Sequence, residues 1–252
     1  MIDVGRRRSV AQAHLLSLLT DQLDELVAGE WRPLDLVDLG GGTGGVAIPL
    51  AARGHRVTVV DPSPDALASL ERRAIDSGVT ERISGVQGDA ADLGRLFPAG
   101  QVDAVICHRV LEVVDSPADA LAAMGAVLRP GGALSLLVGL RHSLVLTQAL
   151  AGHLALARRS YADPHRLDYD RVIALVQEAG FTVLASHGIG AIADQVPERM
   201  VEAEPGAYEE LAALEAEISQ DPAFRALAPS VHVFAQQPST RLGQPAASRP
   251  TA

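Results

Sequence analysis

Between residues 34 and 138 short apolar runs alternate with helical stretches, and this rhythm limits the chain to very few architectures. Leu34–Leu39, Arg56–Val60, Ile83–Gln87, Val102–Cys107 and Ala133–Val138 read as strands. A helix is expected from Gly44 to Arg53. Ser63-Pro64 and Ser116-Pro117 each put a capping serine before a proline at the first helical position. Arg129-Pro130-Gly131-Gly132 breaks the helix ahead of the fifth strand. Such a sequence folds as an α/β protein, a doubly wound parallel sheet with helices on both faces. Ligands of such sheets bind beyond the carboxyl ends of the strands, where the strand order reverses.

The flanks follow another rhythm. Ser9 and Gln12 suit a capping box, so a helix is expected from Val10 to Val27. After the fifth strand come a helix over Leu144–Ala157, a polar loop over Arg158–His165 and a helix over Asp168–Ala179 closed by Gly180. A strand over Phe181–Ser186, a helix over Tyr208–Ile218 and a last strand over Val231–Ala235 complete the chain. This divides it into an N-terminal helical segment (1–28), a core (29–138), substrate-side helices with the last two strands (139–235) and a tail (236–252) expected to be disordered.

Composition excludes several functions. The formal net charge is -10 and there is no lysine, which argues against extended nucleic-acid binding and against an anionic membrane surface. A local arginine patch stays open, as does an oligomer. The single cysteine, Cys107, rules out an intrachain disulfide and reads as a buried strand residue. His14, His55, His153, His187 and His232 lack metal-ligand spacing, so no metal is expected. No apolar run reaches the roughly 20 residues that span a bilayer, and the first helix is too polar for a signal peptide. A cytoplasmic location fits.

The glycine-rich turn Asp38-Leu-Gly-Gly-Gly-Thr-Gly-Gly45 admits two readings. Gly40, Gly42 and Gly45 satisfy the dinucleotide pattern G-x-G-x-x-G. Gly40, Gly42 and Gly44 satisfy an acidic-x-G-x-G-x-G pattern that begins at Asp38. A dinucleotide would set its pyrophosphate beside Asp38, which repels it. S-adenosylmethionine (SAM) carries an ammonium and a sulfonium there, which a carboxylate attracts. Asp61, at the end of the second strand, can accept from both ribose hydroxyls, with Pro62 beside it. Asp89 follows the third strand, where it can take a proton from an adenine amino group while the backbone of Ala90 meets a ring nitrogen. Alone, Asp89 could equally cap the next helix.

Val37-Asp-Leu-Gly-Gly-Gly-Thr-Gly44, Val59-Val-Asp-Pro-Ser63, Gly88-Asp-Ala90, Val110-Leu-Glu112 and Leu128-Arg-Pro-Gly-Gly132 together resemble the class I SAM-dependent methyltransferases. The resemblance implies a Rossmann-like sheet of about seven strands, the last antiparallel, with helical lid insertions. His108-Arg-Val-Leu-Glu-Val113, His142, Glu178-Ala-Gly-Phe181, Tyr208–Glu215 and Phe224–Val233 are similar to the tRNA carboxymethoxyuridine carboxyl methyltransferases, the CmoM-like group. By that resemblance Asp61 and His108 contact SAM and an N-terminal arginine, Arg8, reaches its carboxylate. The chain departs from the group at Gly139-Leu-Arg141 and at Gly188–Asp194, which lacks an aromatic and a histidine. Fold and cofactor site therefore carry over, and the tRNA substrate does not.

The expected function is methyl transfer from SAM to a small molecule or a modified nucleotide, at a hydroxyl or carboxyl oxygen. A carboxylate acceptor needs no base, whereas a hydroxyl or amine would use one. His142 is the candidate base. Arg141, Arg158 and Arg159 could hold an acidic substrate, Glu112 reads as a local partner, and Tyr161 and His165 also fall over the strand ends. The alternatives are an NAD(P)-dependent oxidoreductase and a non-catalytic SAM-binding or partner module on the same fold.

Overall fold

The computed structural model describes residues 9–27 and 31–239, and it bears out the alternation. Seven strands form one sheet in the order β3-β2-β1-β4-β5-β7-β6. They are β1 (Asp35–Leu39), β2 (Arg56–Asp61), β3 (Ile83–Gln87), β4 (Val102–His108), β5 (Leu128–Gly139), β6 (Thr182–Ile189) and β7 (Ser230–Gln236). β7 runs antiparallel to both neighbours, and the pairs among β1–β5 are parallel. Strand order reverses between β1 and β4, so the crevice at their carboxyl ends, after Leu39 and His108, is the place for a ligand.

Alternate strand residues feed two cores. Leu36, Val57, Val59, Ala104 and Ile106 pack under α1 (Val10–Leu26), α2 (Ala47–Ala52) and α3 (Pro64–Asp76). Val37, Leu39, Val105, Cys107 and Leu134 pack against α5 (Pro117–Val127) and α8 (Tyr169–Glu178), with the four-residue α4 (Leu93–Leu96) at the edge. The predicted caps form: Ser63 Oγ accepts from the Ala66 N–H at 3.2 Å and Ser116 Oγ from the Asp119 N–H at 3.2 Å. Ser9 Oγ accepts from the Gln12 N–H at 3.3 Å.

Four expectations need correction. The helix over Leu144–Ala157 is two, α6 (Arg141–Leu150) and α7 (Leu154–Ala162), because Gly152 turns left-handed at φ +80° and ends the first. α7 therefore takes in Arg158–Ala162, half of the expected loop. Arg129-Pro130-Gly131-Gly132 ends α5 but belongs to β5, whose pairing with β4 shifts register between Val102 and Ala104. The expected tail begins at Gln236, which instead closes β7, and residues 240–252 lie outside the described residues. The short helices α9 (Glu198–Ala203) and α11 (Pro222–Leu227), on either side of α10 (Ala207–Ile218), carry too few residues for a helical period to show.

Candidate functional site

The glycine turn joins β1 to α2, and its backbone separates the two patterns that the sequence satisfies. Gly40, Gly42 and Gly44 have φ of +72°, +54° and +81°, which disfavours any side chain. A side chain at Gly40 would also collide with Val110, and one at Gly44 with Leu70. Gly45 has no left-handed φ, and a side chain there would meet nothing within 4 Å. The dinucleotide pattern needs its third glycine for close helix packing. Position 45 has no such need, so the glycines follow the acidic-x-G-x-G-x-G pattern.

Asp61 is fastened to the same turn. Its Oδ2 accepts from the Gly42 N–H at 2.9 Å and its Oδ1 from the Ser63 N–H at 2.9 Å. The Gly40 N–H donates to Val60 O at 2.7 Å and ties the turn to β2. The carboxylate is thus oriented before any ligand arrives, with lone pairs left for a diol. Asp61 and Pro62 line a cavity of about 600 Å³ with Gly40, Asp89 and Ala90, a size ordinary for a small-molecule site. Asp89 forms the expected cap. Its Oδ1 caps a short turn by accepting from the Ala91 N–H at 2.8 Å, and the residue also lines the cavity.

Asp38 lies beneath the turn, packed against Gly41, and is absent from the cavity wall. It is 2% exposed, and its Oδ2 has no hydrogen-bond partner among the described residues. Burial pushes its carboxyl up to about 7, the Ala47 N–H works against that, and Asp61 adds to it. An orphaned buried carboxyl beside a ligand cleft fits a cation above it. That is the charge SAM brings, and the opposite of a pyrophosphate.

Residues 37–136 match a family described as a methyltransferase domain. The chain carries a SAM-dependent methyltransferase domain. Over 235 residues it is 28% identical to the tRNA 5-carboxymethoxyuridine methyltransferase of Escherichia coli strain K12, covering 89% of this chain and 88% of that one. A ubiquinone biosynthesis O-methyltransferase of Methylocella silvestris is 37% identical over 109 residues, 40% of this chain and 39% of its own. Among solved structures, magnesium protoporphyrin IX methyltransferase from Synechocystis PCC 6803 superposes with a TM-score of 0.58 at 17% identity, covering 90% of this chain and 85% of that one. The [4+2]-cyclase SpnF gives a TM-score of 0.58 at 20% identity, covering 88% and 81%. At such identities the likeness is one of fold, and a cyclase among the neighbours shows that this fold serves more than one chemistry.

Two further cavities open beside the first. One of about 850 Å³ lies between α1 and the sheet, lined by His108, Leu137 and Gly45. The other, about 560 Å³, lies under α6 and is lined by Arg141, Ser143, Thr147, His165 and Arg166. Arg109 lines all three, and the sequence did not single it out. Its φ of +63° is the only left-handed value outside glycine among the described residues. The Arg109 N–H donates to Leu137 O at 2.8 Å, and its guanidinium lies 3.5 Å from Glu112. Glu112, as expected, is a local partner: it accepts the Gly139 N–H at 2.5 Å. Asp194, also missed, follows β6 and lines the second and third cavities. Burial and then Glu215 hold its carboxyl above the usual range, and Arg109 pulls the other way. Glu215, fully buried on α10, fixes that loop by accepting the N–H groups of Gly190, Ala191, Ile192 and Ala193 at 2.5 to 3.0 Å.

The remaining candidates scatter. His142 is exposed on α6 and does not line the cavity that Arg141 and Ser143 line. A step of about 100° per helical residue turns it away from them. Arg141 pairs with Asp168 and lies 5.8 Å from the Tyr161 ring centroid. Arg158 and Arg159 are exposed on α7, and Arg8 lies outside the described residues. Among the described residues the His108 ring makes no hydrogen bond to a helix start; it is held by Ser135.

The backbone at Arg109 gives a prediction. Arg109→Gly and Arg109→Ala should both lose methyl transfer. Chemical denaturation should find the glycine variant more stable by about 1 kcal/mol, because only alanine keeps the left-handed penalty. Equal stability would show that the turn relaxes without strain.

Proposed function

We propose that the chain methylates an oxygen of a small molecule or a modified nucleotide, with SAM held across the β1/β4 crevice. When bound, SAM supplies a methyl carbon already activated for in-line displacement. The observation that carries this reading is the Asp61 carboxylate, oriented by the Gly42 and Ser63 amides at the mouth of a cavity that also holds Gly40, Pro62, Asp89 and Ala90. Gly40, Gly42 and Gly44 bring the backbone close to the cofactor, Asp38 supports its positive charge from below, and His108 contacts its methionine part. Residues 29–138 hold the cofactor, and 139–235 shape the acceptor pocket around Arg109, Arg166 and His165. The near full-length likeness to an enzyme named for carboxymethoxyuridine makes an acidic modified nucleotide the first acceptor to try. For a carboxylate the chain needs to orient rather than deprotonate. For a hydroxyl, Asp194, which lines two of the cavities, is a better candidate base than the exposed His142.

The test is transfer of labelled methyl from SAM into a cell extract fractionated into RNA, protein and small molecules. Label should enter RNA or small molecules. Label confined to protein overturns the reading.

Asp38 adds a pH signature. Its raised affinity for a proton means that a cation bound above it drives deprotonation. SAM binding near pH 6.5 should release up to about one proton, and affinity should rise with pH until about 7. Calorimetry in two buffers of different ionisation enthalpy measures this. Asp38→Asn should abolish the release; a release unchanged in that variant assigns the proton elsewhere.

A further inference from the structure

A row of side chains crosses four adjacent strands on the sheet face that α1 covers. It runs from His108 at the end of β4 through Ser135 on β5 and His232 on β7 to His187 on β6. Ser135 Oγ lies 2.9 Å from His108 Nε2 and 2.9 Å from His232 Nε2. His232 stacks on His187 at 6.2 Å, and His187 Nε2 lies 2.9 Å from the Gln220 amide.

A serine hydroxyl donates one proton and can accept two. Ser135 is buried and its hydroxyl meets no acceptor among the described residues except these two imidazole nitrogens, so one nitrogen accepts and the other donates. His232 decides which. The residue is fully buried, and its Nδ1 has no hydrogen-bond partner among the described residues. A sealed N–H without an acceptor is rarer than an under-used acceptor, so the proton of His232 sits on Nε2. His232 Nε2–H then donates to Ser135, and the Ser135 hydroxyl donates to His108 Nε2. His108 must carry its own proton on Nδ1. That nitrogen makes no hydrogen bond to any described residue, and the ring lines the cavity between α1 and the sheet. Burial lowers the His108 pKa to about 4, so the ring is neutral at pH 7 and its tautomer matters.

We propose that Ser135 and His232 are positioning residues that hold His108 as its Nδ1–H tautomer, so that it presents a hydrogen-bond donor to the α-carboxylate of SAM. The tautomer follows from geometry alone; the contact rests on the role given to His108 under the proposed function. A donor at this place suits a carboxylate and would repel the ammonium.

Nitrogen-15 NMR of histidine-labelled protein reads the tautomer directly, without ligand or substitution. In the wild type His108 should show a protonated Nδ1 and a bare Nε2. Ser135→Ala removes the donor, so the proton should move toward Nε2, and calorimetry should show SAM bound about tenfold more weakly, about 1.4 kcal/mol. Ser135→Thr keeps the hydroxyl and should restore both readouts. A wild-type His108 protonated on Nε2, or a tautomer unchanged in Ser135→Ala, overturns the proposal. A tautomer shift with unchanged affinity overturns the contact with SAM. Failure of the wild type to bind SAM at all would strike the functional reading instead, and the ligand-free tautomer would still be readable.

Discussion

Asp61→Ala should weaken SAM binding by at least about a hundredfold while the protein stays folded. The carboxylate already takes one backbone N–H on each oxygen, from Gly42 and Ser63 at 2.9 Å. Its remaining lone pairs suit two vicinal hydroxyls. Hydrogen bonds to a charged group contribute about 1.5–3 kcal/mol each, so two lost bonds amount to about 3 kcal/mol or more. Tenfold in affinity is about 1.4 kcal/mol, which sets the hundredfold floor. The substitution also frees Gly42, so the turn loses its orientation together with the ligand contact. Asp61→Asn should do nearly as badly. Both oxygens accept from N–H groups, and an amide offers only one oxygen, so one backbone donor would face an NH₂. Calorimetric titration with SAM and with its demethylated product, beside a thermal melt, checks this. Wild-type affinity in Asp61→Ala would refute the ribose assignment.

The cofactor side of the site was legible because local chemistry encodes it. A left-handed turn asks for glycine, and a helix start asks for serine followed by proline; both leave marks within a few residues. Even so, the sequence left Gly44 and Gly45 equivalent, and only the backbone showed that position 45 has no need of glycine. The acceptor side was poorly legible for the opposite reason. Arg109 gives no sign in its identity that its backbone is left-handed. Asp194 reaches two of the cavities because β6 runs parallel to β1–β5 and delivers its following loop to the same end of the sheet. His142 looked promising by position after the fifth strand, but α6 begins at Arg141 and turns it outward. The histidine row was invisible because it depends on register: His187 faces His232 across an antiparallel pair 45 residues apart in the chain.

That row predicts steep acid sensitivity. Burial, His14 and Arg225 hold His187 down to about 4, and burial alone does the same for His108. Burial, with the three neighbouring imidazoles, holds His232 well below its ordinary value. Burial lowers His14 on α1 as well, and Glu215 opposes it. A folded-state pKa below the unfolded value of 6.5 means that the unfolded chain binds more protons between the two. The sign is therefore fixed: stability is full above about pH 6.5 and is lost as pH falls toward 4. Asp38 opposes this. Its pKa is raised from 3.8 to about 7, so the folded state holds the extra proton there. His187 and His108, each at about 4, contribute about two protons, or about 2.7 kcal/mol of stability per pH unit near pH 5.5, with His232, His14 and His55 acting in the same direction and Asp38 and Asp194 against it. Against a usual total of about 5–15 kcal/mol, acidification from pH 6.5 to pH 5 should remove a large part of the fold's margin. Urea denaturation at pH 7, 6 and 5 measures it. His187→Gln cannot titrate and should flatten the slope by about one proton, about 1.4 kcal/mol per pH unit. A urea midpoint that stays level from pH 7 to pH 5 would mean that the imidazoles are not sealed from water. The tautomer of His108 would then no longer be held by its neighbours.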